Sequence, residues 1–280
     1  MRADSEERAA KGATRSVYPV HHDALPPGTL STGRYLLRFA SGPEDLEAIQ
    51  RLRFEVFNLE LDEGLDSAFE TGRDEDEFDA VCHHLMVFER KSNAIVGTYR
   101  VMIEPMALSR GGFYSESEFD FTGLPDSVRF RGVEIGRVCV AQEHRNGRVI
   151  HLLWRGLARY LDWNQKRFLF GCCSVPTTDE GAAWALHQRL QSEAQFHKEV
   201  RIEPLPALRC AESAAPQAPA EIPPIFASYL SFGARVCSAP AIDRAFKVVD
   251  FFVIFDLEDL EPRARRSFFD SGRWQVDQAS

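Results

Sequence analysis

A carboxylate and a guanidinium, Glu134 and Arg137, interrupt an otherwise β-branched run at Val133–Val140, and a basic, glycine-containing turn, His144–Arg148, follows at once. The run reads as a strand, and the residues from Val149 read as an amphipathic helix. A strand that passes through such a turn into a helix can hold a phosphate. The first N–H groups of the helix are unpaired, and its positive dipole end faces the anion. Arg145 and Arg148, flanking Gly147, add two full charges. The same residues also suit a solvated turn that uses Gly147 for backbone freedom, and one glycine with two arginines does not choose between the two. Glu134 and Arg137 are three apart, so a regular strand puts them on opposite faces unless a bulge intervenes. A charge inside a strand needs a partner. The pair therefore either forms structural salt bridges or lines a polar cleft.

Arg53 and Arg100 raise the same question, since each breaks an apolar pattern and needs an acidic partner. Asp76 and Asp79, in the DEDEFD segment, are the obvious candidates. They lie in a stretch, Glu55–Asp79, with eleven carboxylates against one arginine, so it is either a solvated loop or a flexible wall for a cationic or amine substrate. In the helix after Val149, Leu153, Leu157 and Leu161 share one face, and Arg148, Arg155, Arg159 and Lys166 share another. That second stripe reads as an exposed face or as a dock for an acidic carrier protein. His83-His84 and Cys172-Cys173 invite a metal reading, but adjacent ligands serve one tetrahedral site poorly, and core histidines and buried thiols fit better. No metal is expected. Ser174 lacks a nucleophile elbow, which argues against a serine hydrolase.

The elements that must position these groups follow from periodicity and turn signals. Strands are expected at Arg34–Ala40, His84–Glu89, Ile95–Ile103, Val133–Val140, Phe168–Ser174 and Lys247–Asp256, with a turn at Asn93. Helices are expected at about 43–57, 149–166 and 179–194, with a shorter piece around 226–232. Residues 1–32 read as a disordered arm, 33–261 as one domain with an Ala/Pro-rich excursion about 208–224, and 262–280 as an exposed basic and aromatic tail. Such a tail, with Arg263, Arg265, Arg266, Phe268 and Phe269, is compatible with peripheral membrane contact. This order implies an α/β (α+β) sheet with helices on its faces. The chain has 280 residues, 44% hydrophobic and 27% charged, with a net charge of −9, which excludes a generally electrostatic nucleic-acid binder. Six cysteines without a CxxC pair fit reduced thiols, and the polar N-terminus is no secretory signal; a cytoplasmic protein is expected.

Taken in order, RLRFEVF (51–57), DEFDAVCHHLMVFE (76–89), IVGTYRVM (95–102), GGFYSESEFDF (111–121), EIGRVCVAQEHRNGRVIHLLWRGLARYL (134–161) and LFGCCSV (169–175) resemble the ornithine-lipid N-acyltransferase family of the GNAT superfamily. The set is similar to long-chain N-acyl amino acid synthases and, more distantly, to acyl-homoserine-lactone autoinducer synthases. Asn58-Leu59-Glu60 stands where the autoinducer synthases carry a tryptophan, which sets the chain apart from that subgroup. The resemblance implies a GNAT-like mixed, splayed β-sheet flanked by helices. It implies transfer of a long-chain (3-hydroxy)acyl group from acyl carrier protein, or from acyl-CoA, to the α-amine of an amino acid, most readily ornithine, with no tightly bound cofactor. Glu134 is then the expected base or water-holder, and backbone N–H groups around Val138–Val140 the oxyanion site. Arg145, Gly147 and Arg148 would hold the phosphopantetheine phosphate. Asp76 and Asp79 would meet the acceptor's side-chain ammonium or brace Arg53 and Arg100, and Arg137 completes the substrate set. An autoinducer synthase and a non-catalytic carrier-binding module are the alternatives.

Overall fold

A computed structural model describes residues 18–212, 219, 221–270 and 274–275. Eleven strands run in chain order: β1 Leu30–Thr32, β2 Tyr35–Phe39, β3 His83–Glu89, β4 Ile95–Met102, β5 Phe119–Asp120, β6 Gly132–Val140, β7 Phe168–Val175, β8 Glu203–Pro204, β9 Arg235–Val236, β10 Ala241–Asp243 and β11 Val248–Asp256. Between them lie α1 Pro43–Arg53, α2 Ala68–Thr71, α3 Glu104–Arg110, α4 Asp126–Arg131, α5 Arg148–Trp163, α6 Glu180–Ser192, α7 Pro224–Phe232 and α8 Pro262–Arg265. The main sheet has the order β1-β2-β3-β4-β6-β7-β11-β10, with β9 also on β11. Every neighbouring pair is antiparallel except β6–β7. The expected mixed sheet flanked by helices is therefore the observed one.

The central strands are buried almost residue by residue because helices cover both faces. Leu85 and Val87 of β3 join the main core under α5, whereas Met86 and Phe88 pack with Ile49 of α1 on the other side. Pro43 occupies the first turn of α1, where its missing N–H costs nothing. The helix then continues as a π-helical turn, Phe54–Glu60. Close approach of α5 to the sheet requires Gly156: a Cβ there would stand 2.1 Å from Leu85 Cδ2. Asn93 takes the left-handed conformation in the β3–β4 turn, as its residue type allows.

Two irregularities shape the middle of the sheet. β6 and β7 pair in parallel only over Gly132–Glu134 and Phe168–Phe170, although both strands run on beyond that point. At the parting, Gly171 is required, since a Cβ would lie 2.4 Å from the Ile135 carbonyl oxygen. On the other side of β6, the register against β4 shifts between Thr98 and Arg100, so that Arg137 and Val138 face Tyr99 alone. Arg137 sits at φ 48° in this bulge. The splay expected from the resemblance is thus present.

The arm expected over 1–32 does not stay loose in its described part. Tyr18 is buried, and its hydroxyl meets His84 Nδ1 at 2.9 Å, while His83 Nε2 donates to the Val20 carbonyl at 2.6 Å. Leu30 enters the core and β1 pairs with β2. The reason is apolar side chains hidden in a polar segment; residues 1–17 lie outside the described residues. The tail from 262 is also docked. Ala264 and Phe268 are buried, and the Phe268 ring stacks on Trp154 of α5 at 5.3 Å. Its main aromatic anchor is thus a core residue and not a membrane contact. No helix among the described residues is long and apolar enough to cross a membrane. Of the 208–224 excursion, residues 213–218 and 220 lie outside the described residues.

Burial pushes the His83 imidazole down to about 4, against the pull of the Val20 carbonyl. The unfolded chain therefore takes up a proton that the folded chain refuses. Stability from this site is complete above about 6.5 and is lost as pH falls toward about 4, a window worth up to roughly 3 kcal/mol. Thermal melting between pH 7 and 4 should show this slope, and His83→Gln should flatten it. An unchanged slope in the variant would assign the effect to other groups.

Candidate active site

Where β6 and β7 part, a cavity of about 530 Å³ opens. Its walls come from the bulged half of β6 (Ile135–Val138), from β7 (Gly171–Ser174), from Asp250 of β11 and from Ile225, Phe226 and Tyr229 of α7. The 3-10 turn Tyr114–Ser117 and Glu118 close it on another side. The bulge matters here. Through the extra residue, Glu134 and Arg137 both line the cavity instead of facing opposite sides of the sheet.

Glu134 is buried and fully engaged with the turn. Its Oε2 accepts from the Tyr114 N–H at 2.8 Å, and its Oε1 accepts from the Ser115 N–H at 2.7 Å and the Ser115 hydroxyl at 2.6 Å. Burial pushes its carboxyl up, against those three hydrogen bonds. A carboxylate offers about four acceptor positions, so one on Oε2 is left over.

The other charges separate into two groups. Arg53, buried from solvent, donates to Asp74 and Asp79, each at 2.7 Å. Arg100 donates to Asp76 at 2.6 Å and to Asp79 at 2.9 Å. Arg137 pairs with Asp74 and lies over the Phe57 ring, 4.3 Å from its centre. Burial works against ionisation of Asp79, but Arg53, the His84 contact and Arg100 outweigh it and hold the carboxyl well below its usual range. Asp76 is thus engaged by Arg100, and Asp79 by Arg53 and Arg100; Asp76, Asp79 and Arg53 all stand outside the cavity lining, an arrangement that braces the two arginines. Arg100 and Arg137 do reach the lining. Asp74, a linchpin of the network, was not singled out in the sequence. Of the long acidic stretch, Glu63 is the carboxylate that reaches the cavity.

The expected phosphate cradle is partly committed. Arg145 pairs with Glu60 and donates to the Val140 carbonyl at 3.0 Å. Gly147 caps α5 at φ 82°, and the Arg148 N–H is taken by Asn146 Oδ1 at 3.1 Å. The Arg148 side chain is exposed. Val140 faces Gly97 of β4 and does not line the cavity, so the backbone at Arg137–Val138 is the nearer oxyanion candidate on this strand. The basic stripe expected along this helix is broken up: Arg155 is buried, Arg159 lies over Trp163, and Lys166, beyond the end of α5, donates to the Phe130 carbonyl. His83 and His84 are core residues, and all six cysteines are free thiols.

Sequence reasoning missed the cavity's second acidic centre. Glu118, Cys172 and Asp250 bring one polar atom each to within 4.8 Å of one another. Burial, with Asp250 and Asp243 nearby, pushes Glu118 well up. Burial lifts Asp250 to about 7, although the Ser174 hydroxyl donates to it at 2.7 Å. Asp250 gave a signal as a lone charge in VVDFFVIF; Glu118 gave none.

The matching family model is the acetyltransferase (GNAT) domain, over residues 52–155. An L-ornithine N(alpha)-acyltransferase of Agrobacterium fabrum is 32% identical over 257 residues, covering 84% of this chain and 84% of that protein. A protein of the same name from Brucella abortus is 31% identical, covering 90% and 94%. Among solved structures, the AHL synthase LasI aligns over 88% of this chain and 100% of its own, with 13% identity and a TM-score of 0.45. With identity near a third sustained across most of both chains, this protein belongs to the L-ornithine N(alpha)-acyltransferase family and is an N-acyltransferase.

Proposed function

We propose that the protein transfers a long-chain (3-hydroxy)acyl group from the thioester of an acyl carrier protein to the α-amine of ornithine, in the making of an amino lipid. The observation that carries this reading is the charge of the cavity. Among the described residues, six carboxylates line it (Glu63, Glu118, Glu134, Glu221, Asp243 and Asp250) against two arginines, and both arginines are already paired with aspartates behind the wall. A buried space of that balance favours a cationic guest. The relatives' name supplies ornithine, an amino acid with a second amine.

The chemistry follows from the parts. Beyond Glu134 the edge of β6 that faced β7 loses its strand partner, and its backbone groups need others. The amides of a pantetheine arm can pair there as an added strand would, laying the thioester beside the bulge. The incoming amine must be neutral to attack, and an α-amine is largely protonated at neutral pH. Glu134, through its remaining Oε2 position or a water held there, takes the proton. Backbone N–H groups freed by the bulge at Arg137–Val138 meet the tetrahedral oxyanion. Its collapse forms the amide and releases the thiol. The exposed Arg148 and the N-terminus of α5 suit the arm's phosphate.

The test is direct. Purified protein is given 3-hydroxyacyl carrier protein or acyl-CoA together with ornithine, lysine or S-adenosylmethionine, and products are read by mass spectrometry. N-acylornithine from the carrier-protein donor is expected. Product only with S-adenosylmethionine would overturn the reading in favour of an autoinducer synthase, and no product from any pair would favour a binding module.

A further inference from the structure

Glu118 lines the cavity and is 4% exposed. Its Oε2 is buried and meets no hydrogen-bond donor of good geometry among the described residues, although the Cys172 thiol and the Tyr114 hydroxyl stand close enough to the carboxyl to favour its charged form. A buried carboxylate oxygen without a donor is costly and points to a missing partner. Asp250 is beside it, with Oδ1 taken by the Ser174 hydroxyl. Cys172 brings its Sγ within 4.8 Å of both and donates to the Ser115 hydroxyl at 3.4 Å, the same hydroxyl that donates to Glu134. A short chain of contacts thus runs from Glu134 to the Glu118–Asp250 pair. Among the described residues no ion pair reaches Glu118 or Asp250: Arg137 acts on Asp250 only through space and is held by Asp74, and Arg100 is held by Asp76 and Asp79.

We propose that Glu118 and Asp250 bind the side-chain ammonium of the acceptor amino acid while its α-amine is presented to Glu134. This rests on the reading of the protein as an ornithine acylating enzyme, and it names the residues that select a diamino acid. An ammonium carries three donors and no acceptor, which suits the unpartnered Oε2 of Glu118 and the remaining oxygen of Asp250. It also relieves the repulsion of two buried carboxyls that otherwise share protons. A divalent metal is the competing guest of three such ligands. It would need Cys172 as a thiolate, and burial with Glu118 and Asp250 nearby pushes that thiol well up.

Kinetics with ornithine and with norvaline, whose chain ends in a methyl group, separate the possibilities. Glu118→Gln should raise KM for ornithine about 10- to 100-fold, the loss expected for a hydrogen bond to a charged group, with a much smaller change in kcat. Its KM for norvaline should stay where it is. Asp250→Asn, which can still accept from Ser174, should behave alike and serves if the first variant folds poorly. Without donor present, ornithine should raise the melting temperature of the wild type and not of either variant. Equal KM shifts for both amino acids, or none for ornithine, would overturn the proposal. So would loss of activity in a chelator with recovery on added zinc. If the wild type acylates norvaline as well as ornithine, the ammonium site alone falls; if it acylates no amino acid, the enzymatic reading falls with it.

Discussion

Replacing Glu134 by Gln is expected to lower kcat by about 10²- to 10⁴-fold, the range of a positioned general base. Under the proposed mechanism the residue has two tasks, and the experiment must divide them. As a clamp, Glu134 holds the Tyr114–Ser117 turn through two backbone N–H groups and one hydroxyl. A Gln side chain turns an N–H₂ toward one of those donors, so some loss of melting temperature comes with the substitution. As a base, Glu134 must be ionised, and burial pushes its carboxyl up. The rate of the wild type therefore falls on the acid side, with a midpoint above the ordinary carboxylate range. Ser115→Ala supplies the separating measurement. It removes the Oγ hydrogen bond that favours the ionised form, so the acid limb moves to higher pH while Glu134 keeps both N–H partners. If the limb stays in place in Ser115→Ala, and Glu134→Gln loses melting temperature but no turnover, Glu134 is a clamp only.

The second large effect is on folding. Asp79→Ala leaves Arg53 and Arg100 each short of a partner in a buried network, and removing one member of such a set costs about 3–5 kcal/mol. For a chain of this size that is a drop in melting temperature on the order of 10 °C. Arg53, 1% exposed, has no route to water that would soften the loss. Asp79→Asn should cost less, because the amide oxygen still accepts from one guanidinium. The same network sets an acid limit. Asp79 is held well below its unfolded value, so its contribution is present above about 3.9 and disappears as pH falls through the folded value. A melting temperature within a degree or two of wild type for Asp79→Ala would mean that the arginines find other partners.

The long central strands were legible because helices cover both faces and leave their sequences apolar throughout. Lone arginines in apolar patterns announced buried partners, and Arg53 and Arg100 found theirs at Asp76 and Asp79 as well as at Asp74. The spacing of Glu134 and Arg137 left a bulge open as one alternative, but its presence and place depend on the register against β4, which VEIGRVCV alone does not contain. Arg155 misled because helix periodicity assigns a polar face, whereas here it is buried. Glu118 was hidden among Glu116, Asp120 and the serines of its loop, where local pattern cannot tell a buried carboxylate from a solvated one. Asp250 was visible as an anomaly, but its meaning needed the pairing with Ser174 across β7 and β11.

That pairing has a consequence for synthesis. β7 ends at Val175, and the strand that covers its second edge, β11, begins at Val248. A chain that leaves the ribosome N-terminus first therefore displays β7 with one edge unpaired through the whole intervening translation. Phe170 can already meet Phe113 and Phe121, but its contact with Phe252 waits for β11. An apolar edge exposed for that long recruits neighbouring chains or a chaperone. The wall that carries Asp250 is thus among the last parts of the molecule to be laid down, and the growing chain keeps an unpaired apolar strand edge until its cavity becomes complete.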